Sequence, residues 1–410
     1  MRTFVDFVDL IVSKNSTIET NEGEYTVKDI VDFAIKNKSN EFKISRKSSS
    51  IEFLKDFISA GLGGGTLLRD SSFCTKMMQD GNFVDDYFMS NTLTENPPGL
   101  FCSFTNGKSG IPRLISYDIE EIWSASEELS NISNRNSNSL YFNGVINPSI
   151  HFLTLVAIPS MITGGKIIDI RKFPNQGEPF TENPIFSVGS SLAKYKPTHS
   201  LLIPHIVPLL ERTRSWRDVD LSSIESFMFA GEIIPPGLFK RIKDKGGIPF
   251  NVYSTSELLT PLSYNVDEKD IKILPNIEYK IIDNELFCKK KNAEWYSTGD
   301  AVEQKDDAIY ILGLKKSEIL HNGSKIYPEI YESIVRSNPK IVDVLLRKKT
   351  DKLILYYYGN VSEDTVQEML KERFTDSNMP EIIKKLDYVI PRTLYGQPIR
   401  SNEFIFGFES

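Results

Sequence analysis

A chain of 410 residues with 40% apolar and 25% charged residues has material for two or three domains around a sizeable core. Its net charge of −7 offers no general attraction to nucleic acid or to an anionic membrane surface. Three cysteines, Cys74, Cys102 and Cys288, are far apart and odd in number, which argues against a disulfide framework or a cysteine metal site and fits a reducing cytoplasm.

The opening MRTFVDFVDLIVSKN is apolar, but Asp6 and Asp9 interrupt it, so it reads as an amphipathic helix and not as a secretory signal. No stretch approaches the roughly 18 apolar residues that span a bilayer, and a soluble cytoplasmic protein is expected. Residues 1–100 alternate short helical patterns with turns. Among them GLGGGTLLRD (61–70) has Thr66 where a dinucleotide loop would carry its third glycine, which predicts a helix-to-strand turn. From 100 to 312 strands and helices alternate: LFCSF, a glycine loop, LISY, then a helix through IEEIWSASEELSNI capped by Ser116 or Asp118. HFLTLVAIPSMIT reads as a buried apolar helix despite Pro159, stopped by Gly164-Gly165 and followed by the strand KIIDI. This rhythm predicts a large α/β domain, 1–312, with a helix-covered sheet. Beyond Gly313, IYPEIYESIVRS, VDVLLRK, LILYYYG and SEDTVQEMLKERF predict a small mobile α+β domain, 313–410.

SFTNGKSGIPR (103–113) carries glycines, hydroxyls and a lysine between two strands, the material of a phosphate cradle. A Walker A loop would need a glycine at position 102, which is Cys102. On composition alone a plain surface hairpin competes with the cradle. The remaining motifs decide between them.

The loop resembles the phosphate loop of the AMP-forming adenylating enzymes, the superfamily of acyl-CoA synthetases, adenylation domains and luciferases, whose form is Y/F-T-S-G-T-T-G-x-P-K-G. Thr105, Gly107, Ser109, Gly110 and Pro112 match in register, with Arg113 for the lysine. Further matches follow in order. Ala230-Gly231-Glu232 stands for Gly-Gly-Glu, and NVYSTSE (251–257) for N-x-Y-G-x-S/T-E. WYSTGD (295–300) carries Y-x-T-G-D. GLKKSEILHNGSKIYPEIYE (313–332) resembles the hinge motif, and IPRTLYGQPIR (390–400) the last one. The chain is short at its N-terminus for the family, which implies a trimmed first subdomain within 1–100.

The resemblance implies a ligase that activates a carboxylic acid with ATP and Mg²⁺ as an acyl-adenylate, then transfers it to a thiol of CoA or of a carrier protein's phosphopantetheine. It implies phosphate contacts from Thr105, Asn106, Gly107, Lys108, Ser109 and Gly110, with Gly231 and Glu232 beside the nucleotide. Tyr253 would pack on adenine, Asp300 bond the ribose hydroxyls, Ser256 bond the α-phosphate and Glu257 hold Mg²⁺. Each has a plainer alternative: Tyr253 as a sheet aromatic, Asp300 as a turn residue, Glu257 as the cap of a helix at LLTP. Amino-acid activators often carry an aspartate near Asn147, and an asparagine cannot neutralise an ammonium, so an aryl or acyl substrate is expected. His151 and His205 could border that pocket, yet core or surface placement is the simpler reading of both.

Three departures from the pattern concern charge. Leu314 replaces the family arginine, Lys316 stands at the hinge in place of an aspartate, and Gln397 replaces the catalytic lysine. Removing one donor aimed at transition-state charge typically costs about 10²–10³ in rate. Lys315, Lys316 and Lys325 are the candidate substitutes. The thiol half of the cycle, around Gly323, keeps its glycine. A degenerate paralogue that binds nucleotide, acyl-adenylate or carrier protein, or a transferase with only the thiol half-reaction, is therefore the alternative.

Overall fold

The computed structural model describes residues 2–45, 49–69, 99–104, 114–143, 150–169, 184–204, 206–259, 261–267, 272–290, 293–305, 308–387 and 390. Nine strands form the central sheet, in the order Lys272–Ile273, Pro261–Asn265, Pro249–Ser254, Ser226–Ala230, His199–Leu202, Leu140–Asn143, Lys166–Asp169, Thr17–Thr20 and Gly23–Thr26. From Pro249–Ser254 to Thr17–Thr20 every pairing is parallel; antiparallel strands close both edges.

Parallel strands are covered on both faces, so alternate residues enter two different cores. Tyr141, Ile167, Leu201, Met228 and Phe250 join the N-terminal helices and the helices Ile119–Ile132 and Ile158–Thr163 on one side. Phe142, Ile168, Leu202, Phe227 and Phe229 meet Trp216, Leu238 and Ile242 on the other. A second sheet sets Phe42–Ser45, Thr66–Arg69 and Phe101–Phe104 in parallel, with Leu114–Tyr117 antiparallel at its edge. A third is an antiparallel meander of Ile277–Ile282, Glu285–Lys290, Tyr296–Lys305 and Ala308–Leu314. The C-terminal strands Ile341–Lys349, Lys352–Gly359 and Ile382–Lys385 pack against helices Pro328–Arg336 and Glu363–Lys371 around a core drawn from Ile326 to Met379. The architecture is the expected α/β one: a large N-terminal part of mixed sheets and a small C-terminal α+β part.

Local signals explain the element boundaries. Asp118, and not Ser116, caps Ile119–Ile132, through a reciprocal box with Glu121. The cluster at 61–70 is the predicted helix-to-strand turn: Ser50–Gly63 ends on Gly64 at φ +76° and Thr66 opens the next strand. The helix through Pro159 survives by widening. Proline has no N–H for the carbonyl of Leu155, and a π-helical turn spans Leu153–Ala157. Buried Arg135 donates from Nη1 to that Leu155 oxygen at 2.8 Å, while its guanidinium lies 4.7 Å over the Tyr141 ring. Among the described residues no helix is long and apolar enough to cross a membrane.

Candidate active site

The parallel strands end in a row at Asn143, Leu202, Ala230 and Ser254. Open α/β sheets bind ligands outside such carboxyl ends, and two of the motifs leave the sheet there. After Ala230 the chain turns at Gly231, whose φ of +89° is left-handed, and exposes Glu232 to solvent. After Ser254 it makes the turn Ser256-Glu257-Leu258. The Thr255 hydroxyl accepts the Leu258 N–H at 3.3 Å and its carbonyl accepts the Leu259 N–H at 2.9 Å. Leu259 sits buried at φ +58°, a conformation uncommon for a non-glycine residue and enriched at functional sites. Among the described residues no helix opens at 257–261, so the capping alternative is not met there; the chain passes into Pro261–Asn265.

Tyr253 and Asp300 come together from different sheets. The Tyr253 hydroxyl donates to Asp300 Oδ2 at 2.6 Å. Asp300 follows Gly299, at φ +67°, and its N–H donates to Thr298 Oγ1 at 3.2 Å. The Thr298 hydroxyl in turn donates to the Leu286 carbonyl at 2.8 Å. Thr-Gly-Asp thus works as a braced corner that aims a carboxylate. Burial, and then the Asp300 charge, pushes the Tyr253 phenol far above its ordinary range, so it remains a donor. A cavity of about 40 Å³ lies behind Tyr253, lined by Asn251, Asn265, Leu286, Cys288 and Ile311. Burial and the Asp300 charge push the Cys288 thiol up to about 12, which removes it as a nucleophile.

The departures from the motif pattern have a place as well. Leu314 lies directly across the antiparallel ladder from Asp300. Lys315 donates to the Asp283 carbonyl at 2.8 Å and to Glu318 at 3.1 Å, while Lys325 lies 3.5 Å from the same Glu318 carboxylate. Two of the three candidate substitutes are thus committed to Glu318. Lys316 is exposed, in a 3-10 turn over Lys315–Ser317. The hairpin beyond it turns on Asn322 and Gly323, both at positive φ, as an Asn-Gly pair favours.

Thr105, Asn106, Gly107, Lys108, Ser109, Gly110, Asn147, His205 and Gln397 lie outside the described residues. His151 is exposed at the start of its helix. Both strands that carry the 105–113 loop are described, and Tyr117, at the end of the second, donates its hydroxyl to the Ser256 carbonyl at 2.9 Å. Sequence reading missed Tyr117. Its one signal is its place just before the capping Asp118. Among the described residues no group of three His, Cys, Asp or Glu stands ready to hold a metal.

No protein-family model matches the chain. It is 24% identical, over 78% of its own length and 74% of the relative's, to the Staphylococcus aureus protein VraA, assigned as a long chain fatty acid-CoA ligase. It is also 24% identical to the 2-succinylbenzoate–CoA ligase of Lactococcus lactis, over 48% of this chain and 49% of that one. Among solved structures, an anthranilate CoA ligase in complex with anthranoyl-AMP superposes with a TM-score of 0.78 at 14% identity, covering 97% of this chain and 95% of that chain. The o-succinylbenzoate CoA synthetase of Bacillus subtilis, holding its acyl-adenylate, does so at 0.75 and 16% identity, over 96% and 97%.

Proposed function

This chain belongs to the AMP-forming adenylating superfamily, and from that premise we propose that it is an acid–thiol ligase. It activates a carboxylic acid with ATP as an acyl-adenylate, then passes the acyl group to a thiol of CoA or of a carrier protein's phosphopantetheine. One observation carries the reading: the 2.6 Å bond from Tyr253 to Asp300, which unites residues 47 apart beside the turn of Ser256 and Glu257. CoA ligases among the relatives support CoA as acceptor, and a solved adenylation–carrier protein pair with similar fold supports a carrier protein.

In the reaction a carboxylate oxygen of the acid attacks the α-phosphorus, and pyrophosphate leaves with the electrons of the broken P–O bond. A thiolate then attacks the acyl carbon and AMP departs. The protein's part is positioning and charge, since neither step needs a nucleophile of its own. Tyr253 and Asp300 hold the nucleoside, residues 105–110 the phosphates, with Gly231 and Glu232 alongside, and Ser256 an α-phosphate oxygen. Glu257 would hold Mg²⁺, which when bound neutralises charge on the phosphates. Among the described residues no group of three His, Cys, Asp or Glu surrounds Glu257, and a single carboxylate fits that ion, which takes one or two carboxylates and completes its shell with phosphate and water. The domain from 313 onward acts as a lid turning at Lys316, against the body of 1–312. Asn147 favours an aryl or acyl acid over an amino acid. The named substrates of the relatives, 2-succinylbenzoate and indoleacetate among them, support the same class.

The test is ATP–pyrophosphate exchange with aryl, fatty and amino acids, on the wild type and on Gln397→Lys and Leu314→Arg. Acid-dependent exchange is expected from the wild type, faster by about 10²-fold when either charge is restored. Folded protein with no exchange on any acid counts against the reading.

Leu314 opposite Asp300, with Lys315 and Lys325 held at Glu318, favours a second reading: a protein that binds nucleotide or acyl-adenylate, or completes only the thiol half-reaction. Thioester formed from a synthetic acyl-adenylate, by a protein that makes no adenylate, would select it.

A further inference from the structure

Tyr117 ends the edge strand Leu114–Tyr117 and lies outside every motif that carries the family resemblance. It is 2% exposed, with its ring near-parallel to Phe101 at a centroid distance of 6.3 Å. Asp118, the next residue, is fixed as the cap of a 14-residue helix. The phenol is therefore held by a strand on one side and a helix start on the other. Its hydroxyl reaches another motif altogether, the Ser256 carbonyl at 2.9 Å.

That carbonyl belongs to the peptide unit joining Ser256 to Glu257. The unit is planar and rigid, so fixing its oxygen fixes the Glu257 nitrogen and narrows where the Glu257 side chain begins. Burial is the main cause that raises the Tyr117 phenol, and the Glu257 charge is the next, which places that carboxylate close by and keeps the phenol a donor. The Thr255 hydroxyl and carbonyl hold the Leu258 and Leu259 amides from inside the turn. Tyr117 holds it from outside.

We propose that Tyr117 is a positioning residue that locks the Glu257 turn to the strand Leu114–Tyr117, so that the Glu257 carboxylate is held ready for the nucleotide's cation. The inference rests on the nucleotide reading above and adds a residue to it. The Glu257 turn follows a strand of the central sheet, whereas Leu114–Tyr117 belongs to another sheet, with a gap between the two. The Tyr117 hydroxyl spans that gap.

Calorimetric ATP binding as a function of Mg²⁺ tests this on wild type, Tyr117→Phe, Glu257→Gln and the double variant. Tyr117→Phe keeps the ring stack and loses only the hydroxyl. It is expected to raise the half-saturating Mg²⁺ concentration about three- to tenfold, the weight of one hydrogen bond, and to have little further effect once Glu257 is Gln. A merely structural tyrosine would lower the melting temperature and leave the Mg²⁺ dependence alone; that outcome, or full additivity with Glu257→Gln, overturns the inference while the nucleotide reading stands. Wild type that binds no ATP with Mg²⁺ overturns both. Hydrogen exchange on the wild type covers a variant that fails to fold. ATP with Mg²⁺ should slow exchange in 114–118 and 255–259 together, and slowing in 255–259 alone refutes the lock.

Discussion

The pair Tyr253 and Asp300 shows how a side chain can be both sheet packing and site. Tyr253 is half-buried in an edge region of the central sheet, as its plainer reading predicts, and its hydroxyl still reaches Asp300. Tyr253→Phe keeps the ring and removes the donor. ATP affinity should fall about three- to tenfold by calorimetry, with the fold retained by circular dichroism. The motif residues were legible one at a time because adenylation chemistry prescribes their types. Their mutual contacts were not, because residues 253 and 300 meet only after two sheets pack. Tyr117 illustrates the other limit: an aromatic closing a strand has many uses, and nothing local marks its partner as a carbonyl 139 residues away.

At the level of elements, caps and glycines carried most of the prediction. Asp118 and Ser362 open their helices and Gly64 closes one, where their chemistry says they should. Pro159 is the instructive exception. The apolar run around it was readable as a helix, but the π turn and the donor from Arg135 were not, since residue 135 lies on another segment. Arg135→Met leaves the Leu155 carbonyl buried without that donor and should cost about 1–3 kcal/mol in denaturant melts. In a Pro159→Ala background, residue 159 supplies an N–H of its own, so the same substitution should cost less. Equal costs in both backgrounds would refute the account. Gly313 carries a comparable constraint where the meander ends. Its φ is +150°, and a Cβ there would crowd the Glu329 carboxylate, so Gly313→Ala should lower the melting temperature measurably.

For the whole molecule, acid response follows from a buried histidine. His199 is 2% exposed, bonded to Thr198 and to the Ser133 carbonyl, and stacked on Tyr141 at 5.0 Å. Burial, with the Arg135 charge adding to it, lowers its pKa to about 4. The unfolded chain binds this proton from its ordinary value of 6.5 downward, whereas the fold resists it until about 4. Stability contributed by the neutral ring is therefore complete above pH 6.5 and is lost as pH falls towards 4, by about 3 kcal/mol. His199→Gln should flatten that part of the stability–pH curve in urea titrations; an unchanged slope would count against the assignment. Fold class was readable from the alternation of strands and helices. The order of strands in the central sheet was not, because hydrophobic pattern marks a strand as buried without naming its neighbours.

That order has a consequence in time. Thr17 pairs with Lys166, so this strand must wait for one made 149 residues later. At 5–20 residues per second the wait is roughly 7 to 30 seconds, long compared with the microseconds in which a helix forms. The hairpin Thr17–Thr20 with Gly23–Thr26 forms early as a two-stranded piece and then docks as a unit on Lys166–Asp169. Until then its open side is a bare strand edge in the crowded cell, open to wrong pairing during synthesis.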